Sequence, residues 1–190
     1  ERSQIITAKV PQLIQFSNDA LCCIGQISAD PGVFRQTACS QRSLALAAAL
    51  RQRGVACVMA TLDDHGVRAR LASADCEFEP QPGFEGDAGA SEVDYTAVLA
   101  RQHNCHTVVV DSYRMPAVYL SGLQSAGLRV VAIDDLAREP LPAHVVVNGG
   151  AQATGLPYRS SSGDTVFLLG PAYALLGPAF WNLGPRRLSP

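Results

Sequence analysis

The feature that most constrains this chain is the recurrence of short, continuously apolar runs separated by stretches of helical spacing. Ala20 to Ile27, Val55 to Leu62, Thr107 to Val110, Leu128 to Ile133 and Val145 to Val147 each lack the polar alternation of a half-solvated strand. A strand that is apolar on both sides must be covered on both sides. Between the runs lie helical segments: Thr37 to Arg53, Asp64 to Ala72, Tyr95 to Gln102 and Pro116 to Ser125. In the first of these, Leu44, Leu46, Ala47, Ala48 and Leu50 make the apolar stripe, and Gly54 supplies the stop. Gly127 closes the last helix in the same way. Cys76 to Phe78 and Thr165 to Leu169 read as further strands, and Pro80 to Ser91 as an exposed loop rich in Pro, Gly and acidic residues. This order predicts an α/β, Rossmann-like three-layer domain with six or seven mostly parallel strands.

Composition narrows the function. Hydrophobic residues make up 47% of the 190 residues and charged residues 17%, which fits one folded domain rather than a disordered arm. Fifteen basic residues against seventeen acidic ones give a net charge of −2, so no electrostatic case for nucleic acid or anionic lipid arises. Lys9 is the only lysine, every other basic residue being arginine. No apolar run reaches the roughly 18 residues of a membrane span, and nothing near Glu1 reads as a signal peptide. Of the six cysteines, Cys22, Cys23 and Cys57 lie in apolar runs, and no C-x-x-C pair occurs. Free, buried thiols and a cytoplasmic location are the expectation.

In a parallel sheet, ligands bind beyond the carboxyl ends of the strands. That directs attention to the loop Ser28 to Ala38, Asp111-Ser112-Tyr113, Asp134-Asp135 and Asn148-Gly149-Gly150. The loop matches neither G-x-G-x-x-G nor the Walker pattern. Cys39 falls in the first turn of the expected helix, where the dipole favours thiolate; a small apolar filler is the plainer reading. His65, His103, His106 and His144 show no metal-ligand spacing, so no metal and no cofactor are expected. No G-x-S-x-G elbow is present. Asp111 and Asp134 end strands, where a carboxylate either orients a sugar hydroxyl or caps a loop.

The order of motifs resembles the UDP-2,4-diacetamido-2,4,6-trideoxy-β-L-altropyranose hydrolase family of the pseudaminic acid pathway, a relative of spore-coat polysaccharide proteins and GT-B glycosyltransferases. Ala29-Asp30 followed by Arg42-Ser43-Leu44-Ala45-Leu46-Ala47 carries it first. Val110-Asp111-Ser112-Tyr113 with Ile133-Asp134-Asp135-Leu136-Ala137, and Gly170-Pro171-Ala172-Tyr173-Ala174-Leu175-Leu176, carry it further. The likeness spans residues 20–180, leaving 1–19 as an extension and 181–190 as a linker or tail. It implies the amino-terminal half of a GT-B fold, a UDP-sugar ligand, and a second domain or partner chain that supplies most nucleotide contacts. It implies Asp30 and Cys39 at the reacting centre, with Arg42, Asp111, Tyr113, Asp134 and Tyr173 binding substrate.

The departures are as telling. The family's catalytic histidine is Cys39, its two loop glycines are Gln36 and Ala38, and the Arg and Glu after its last motif are Gly177 and Ala179. Three functions follow as expectations: a nucleotide-sugar hydrolase or transferase domain, a catalytically degenerate scaffold, and thiol chemistry at Cys39.

Overall fold

A computed structural model describes residues 22–27, 33–63, 65–82, 89–113 and 116–181, with side chains from residue 41 onward. Seven strands form one sheet: β1 (Cys22–Ile27), β2 (Ala56–Leu62), β3 (Glu77–Gln81), β4 (Thr107–Asp111), β5 (Arg129–Ile133), β6 (Val145–Asn148) and β7 (Val166–Leu169). Their order is β3-β2-β1-β4-β5-β6-β7, and every pairing is parallel. Among the described residues, four α-helices lie between strands: α1 (Val33–Arg51), α2 (His65–Ser73), α3 (Ala90–Gln102) and α4 (Ala117–Ser125).

The apolar runs are explained by two cores, one on each face. On the first face Leu46, Ala47, Ala49 and Leu50 of α1 cover Cys57, Val109, Val131, Ile133, Val145 and Val147. Beside them, Val67 and Leu71 of α2 cover Met59. On the second face Ala97, Leu99 and Ala100 of α3, with Tyr119, Leu120 and Leu123 of α4, cover Val58, Ala60, Val108, Val110, Val130, Ala132 and Val146. Odd and even positions of the same strand thus enter different cores, and all five residues of β4 are buried.

The four helices end alike. Val55 N–H bonds Leu50 C=O at 3.2 Å, Cys76 bonds Leu71 at 3.0 Å, Cys105 bonds Ala100 at 2.7 Å and Leu128 bonds Leu123 at 3.1 Å. These are the six-to-one bonds of a Schellman turn, which needs a left-handed residue just past the helix. Gly54 (φ 78°), Asp75 (φ 51°), Asn104 (φ 52°) and Gly127 (φ 83°) occupy it. Only the two glycines are legible in sequence as stops.

Several boundaries differ from expectation. Helix α1 starts at Val33 rather than Thr37, so the loop after β1 is shorter than Ser28 to Ala38. Strand β3 runs through Gln81 into the supposed loop; Pro80 is tolerated because β3 is an edge strand. Helix α3 begins five residues before Tyr95, at Ala90, where the Glu92 carboxylate accepts the Gly89 N–H at 3.1 Å. The cysteine expectation also changes. Cys57 and Cys76 are free, and burial pushes the Cys76 thiol up. Cys105, at the turn into β4, is disulfide-bonded instead of free. The argument for a reducing compartment loses its basis there. Among the described residues, no helix is long and apolar enough to cross a membrane.

After β7 the chain folds back over the first face through two 3₁₀ turns, Pro171–Tyr173 and Pro178–Phe180. Tyr173, Leu175 and Trp181 pack on the α1 core, and Trp181 donates its Nε1–H to Leu176 C=O at 2.6 Å. This strap presses on the loop after β6: a Cβ on Gly149 would lie 2.5 Å from the Ala174 Cα. Backbone cannot yield as a flexible side chain does. Gly149→Ala is therefore expected to destabilise by about 1–3 kcal/mol, measured by urea unfolding; an unchanged midpoint would show that the strap moves freely.

His144 supplies a pH dependence. Its Nδ1 accepts the Val130 N–H at 3.0 Å, which requires an unprotonated nitrogen there. Burial first, and Arg129 second, hold the imidazole below its ordinary value of 6.5. A depressed imidazole stabilises fully above the ordinary value and loses that contribution as pH falls through the folded one. Thermal melts between about pH 8 and 5 should show a falling Tm on the acid side. His144→Asn keeps an acceptor that does not titrate and should flatten that limb.

Candidate functional site

Helix α1 follows β1 on the first face, whereas α4 follows β4 on the second. The strands are neighbours, so their connections diverge and a crevice opens at the carboxyl edge between them. Asp111 ends β4 opposite Ile27, the last residue of β1. It follows Val109 by two residues, so its side chain falls on the α1 face.

Arg42 on α1 meets it there. Nη2 donates to Asp111 Oδ1 at 2.7 Å and Nε to Oδ2 at 3.3 Å, a two-pronged contact. Ser43 Oγ donates to the same Oδ2 at 3.4 Å. The third guanidinium nitrogen, Nη1, donates to Asp135 Oδ2 at 2.6 Å, and the Tyr113 hydroxyl donates to that oxygen at 2.7 Å. Asp111 is 1% exposed and Asp135 33%. Burial works against the Arg42 charge, but Asp111 and Asp135 outweigh it and hold the guanidinium protonated well above its ordinary value. One cation between two carboxylates leaves the cluster with one net negative charge. Its half-exposed members, Asp135 and Tyr113, are a carboxylate and a hydroxyl, groups that suit a hydroxyl-bearing or amino-bearing ligand.

A second polar group braces the loops after β5 and β6. Asp134 Oδ2 accepts the N–H groups of Leu136 at 3.0 Å and Ala137 at 2.7 Å. The Tyr158 hydroxyl lies 2.9 Å from the same oxygen and 2.6 Å from Asp134 C=O, and accepts Asn148 Nδ2 at 2.9 Å. Asn148 Oδ1 in turn accepts the Gly150 N–H at 2.8 Å. Burial, and secondarily the nearby acids, push the Tyr158 phenol above its ordinary value, so it stays a donor.

The sequence-derived candidates therefore separate. Arg42, Asp111 and Tyr113 meet in one network. Asp134, one residue from it, caps its own turn. Tyr173 packs on the α1 core. Asp30 lies outside the described residues. Cys39 is the seventh residue of α1, beyond the first turn in which the helix dipole acts on a thiol, and its side chain is not described. Asp135, Ser43 and Tyr158 went unnamed as site residues. Asp135 had a signal, a second acid at a strand end; Ser43 and Tyr158 had none.

The sequence matches no protein-family profile and no curated protein. Solved structures do resemble it. A glycosyltransferase from Rickettsia africae ESF-5 superposes with a TM-score of 0.50 at 10% identity, over 61% of this chain and 30% of that one. MurG from Acinetobacter baumannii gives 0.48 at 14% identity, over 66% of this chain and 40% of that one. The chain spans less than half the length of either. The likeness is one of fold alone: this is a Rossmann-like α/β domain.

The pair at the centre of the site makes a stability prediction. Arg42→Met would leave Asp111 a buried, uncompensated charge. The expected cost is about 3 kcal/mol, the low end for such pairs because the guanidinium keeps some solvent contact. Asp135→Asn should cost under about 1 kcal/mol, since that carboxylate is half-solvated. Chemical denaturation of both variants checks the contrast, and equal losses would refute it.

Proposed function

We propose that this domain binds the sugar end of a nucleotide-sugar, as one half of a GT-B-type cleft that hydrolyses or transfers at the anomeric centre. The observation that carries this is the Arg42–Asp111–Asp135–Tyr113 network at the crevice where the connections of β1 and β4 diverge. Arg42 and Asp111 act as the frame, and Asp135 and Tyr113 as the contacts with sugar hydroxyl or amide groups. Asp30, in the connection between β1 and α1, and Cys39 on α1 are assigned to the reacting end. Tyr173 and Asp134 shape the cleft from behind. A UDP-sugar is the ligand class, and a second domain or chain closes the cleft over the nucleotide.

One observation favours a second reading, a non-catalytic scaffold: all three guanidinium nitrogens of Arg42 are engaged by carboxylates of the same chain.

Ligand-observed saturation-transfer NMR detects weak binding by half a cleft. With UDP-N-acetylhexosamines, transfer to the sugar protons is expected for the native chain. Asp135→Asn and Tyr113→Phe, both folded, should reduce it on the order of tenfold. Absence of transfer from the native chain, or unchanged transfer in both variants, would sink the sugar assignment. A Cys39→Ser variant with full turnover in the assembled system would remove thiol chemistry.

A further inference from the structure

At the opposite, amino-terminal edge of the sheet lies a group of ligand-type side chains that the proposed sugar site does not use. Glu77 and Glu79 are two residues apart on β3, so both project from the same side of the edge strand. His103 is the residue that closes α3, the crossover that follows β3. Its Nε2 is 3.0 Å from Glu79 Oε1, and its Nδ1 is 3.6 Å from Glu77 Oε1. One ligand atom from each residue can be chosen so that all three lie within 4.8 Å of one another.

This arrangement is electrostatically one-sided. A ring nitrogen that carries no hydrogen has a lone pair to offer an ion. The carboxyl end of α3, with its partial negative charge, points at the same place. Two carboxylates and an imidazole nitrogen thus stand close enough together to share one cation, beside a helix terminus that favours it. In a tetrahedral zinc site, ligand distances of about 2.0–2.2 Å put the ligand atoms roughly 3.2–3.5 Å apart. The Nε2–Glu79 spacing is already near this, and Glu77, with its side chain 61% exposed, is free to rotate inward.

We infer that Glu77, Glu79 and His103 form a binding site for a divalent transition metal of the Zn²⁺ class. The imidazole selects such an ion over Mg²⁺ or Ca²⁺, which prefer all-oxygen ligands. Three protein ligands leave a fourth position open to water or to a donor from another molecule. Bound metal ties the edge strand β3 to the end of its own crossover helix. The site is independent of the sugar-binding reading, because it lies at the other edge of the sheet.

The test uses the full chain, stripped with chelator and titrated with Zn²⁺ by calorimetry, alongside Mg²⁺ and Ca²⁺. One Zn²⁺ per chain is expected, with no heat of binding from the other two ions. Glu79→Gln and His103→Gln should each weaken Zn²⁺ on the order of tenfold or more. Glu77→Gln, at an exposed position that cannot unfold the chain, should weaken it measurably. Co²⁺ bound in place of Zn²⁺ should give a spectrum without thiolate charge-transfer bands. No Zn²⁺ binding by the native chain would overturn the inference. Unchanged affinity in folded variants, or a thiolate spectrum, would overturn it equally by placing the metal elsewhere.

Discussion

A carboxylate that is 1% exposed survives in this sheet because a guanidinium comes to meet it. Asp111 ends the central strand β4, and Arg42 reaches it from the helix that follows the neighbouring strand. An isolated charge at that depth would cost several kcal/mol, so the position of α1 against β4 is set by the need to pair it. The same guanidinium reaches on to Asp135 beyond β5, and Asp135 holds Tyr113. One side chain therefore fixes a helix and two strand-end loops at the point where the sheet's connections diverge. Remaining contacts at that edge, such as Asp134 with Tyr158, brace the loops around it.

Much of the fold was legible because its strands are covered on both faces. Continuous apolar runs at Val108, Val109 and Val110, or at Val145 to Val147, have few explanations other than a buried parallel strand. What the pattern concealed was local. Glu77 to Gln81 sits at the edge with only its last residue buried, and its Pro80 imitates a loop. Asp75 and Asn104 end helices in a conformation usually given to glycine, which Asn and Asp adopt more readily than other side chains but which they do not signal as plainly. The disulfide at Cys105 is a pairing in space that residue spacing does not encode.

The candidate site was legible in part for the same reason. Strand-end acids can be located once the strands are. Which of two adjacent acids faces the crevice cannot, because one residue of offset turns a side chain from a ligand contact into a cap. Asp134 spends its Oδ2 on its own turn, and Asp135 faces Arg42 and Tyr113. The triad of Glu77, Glu79 and His103 was hidden for a different reason. Its members are far apart in sequence and are joined only when α3 crosses the sheet, so no motif spacing announces them.

The four Schellman turns have a bearing on how such a chain tolerates change. Each lets a helix hand over to a strand with no slack, so the strand's phase is counted directly from the last turn of the helix before it. A single inserted residue at Asn104 would have to be absorbed within β4. If the strand slid by that one residue, Asp111 would swap faces with its neighbour and Arg42 would find Val110 in its place. Length variation is thus excluded from one rim of the sheet by phase alone, while the opposite rim, where the loops carry the polar network, is left to vary in both length and chemistry.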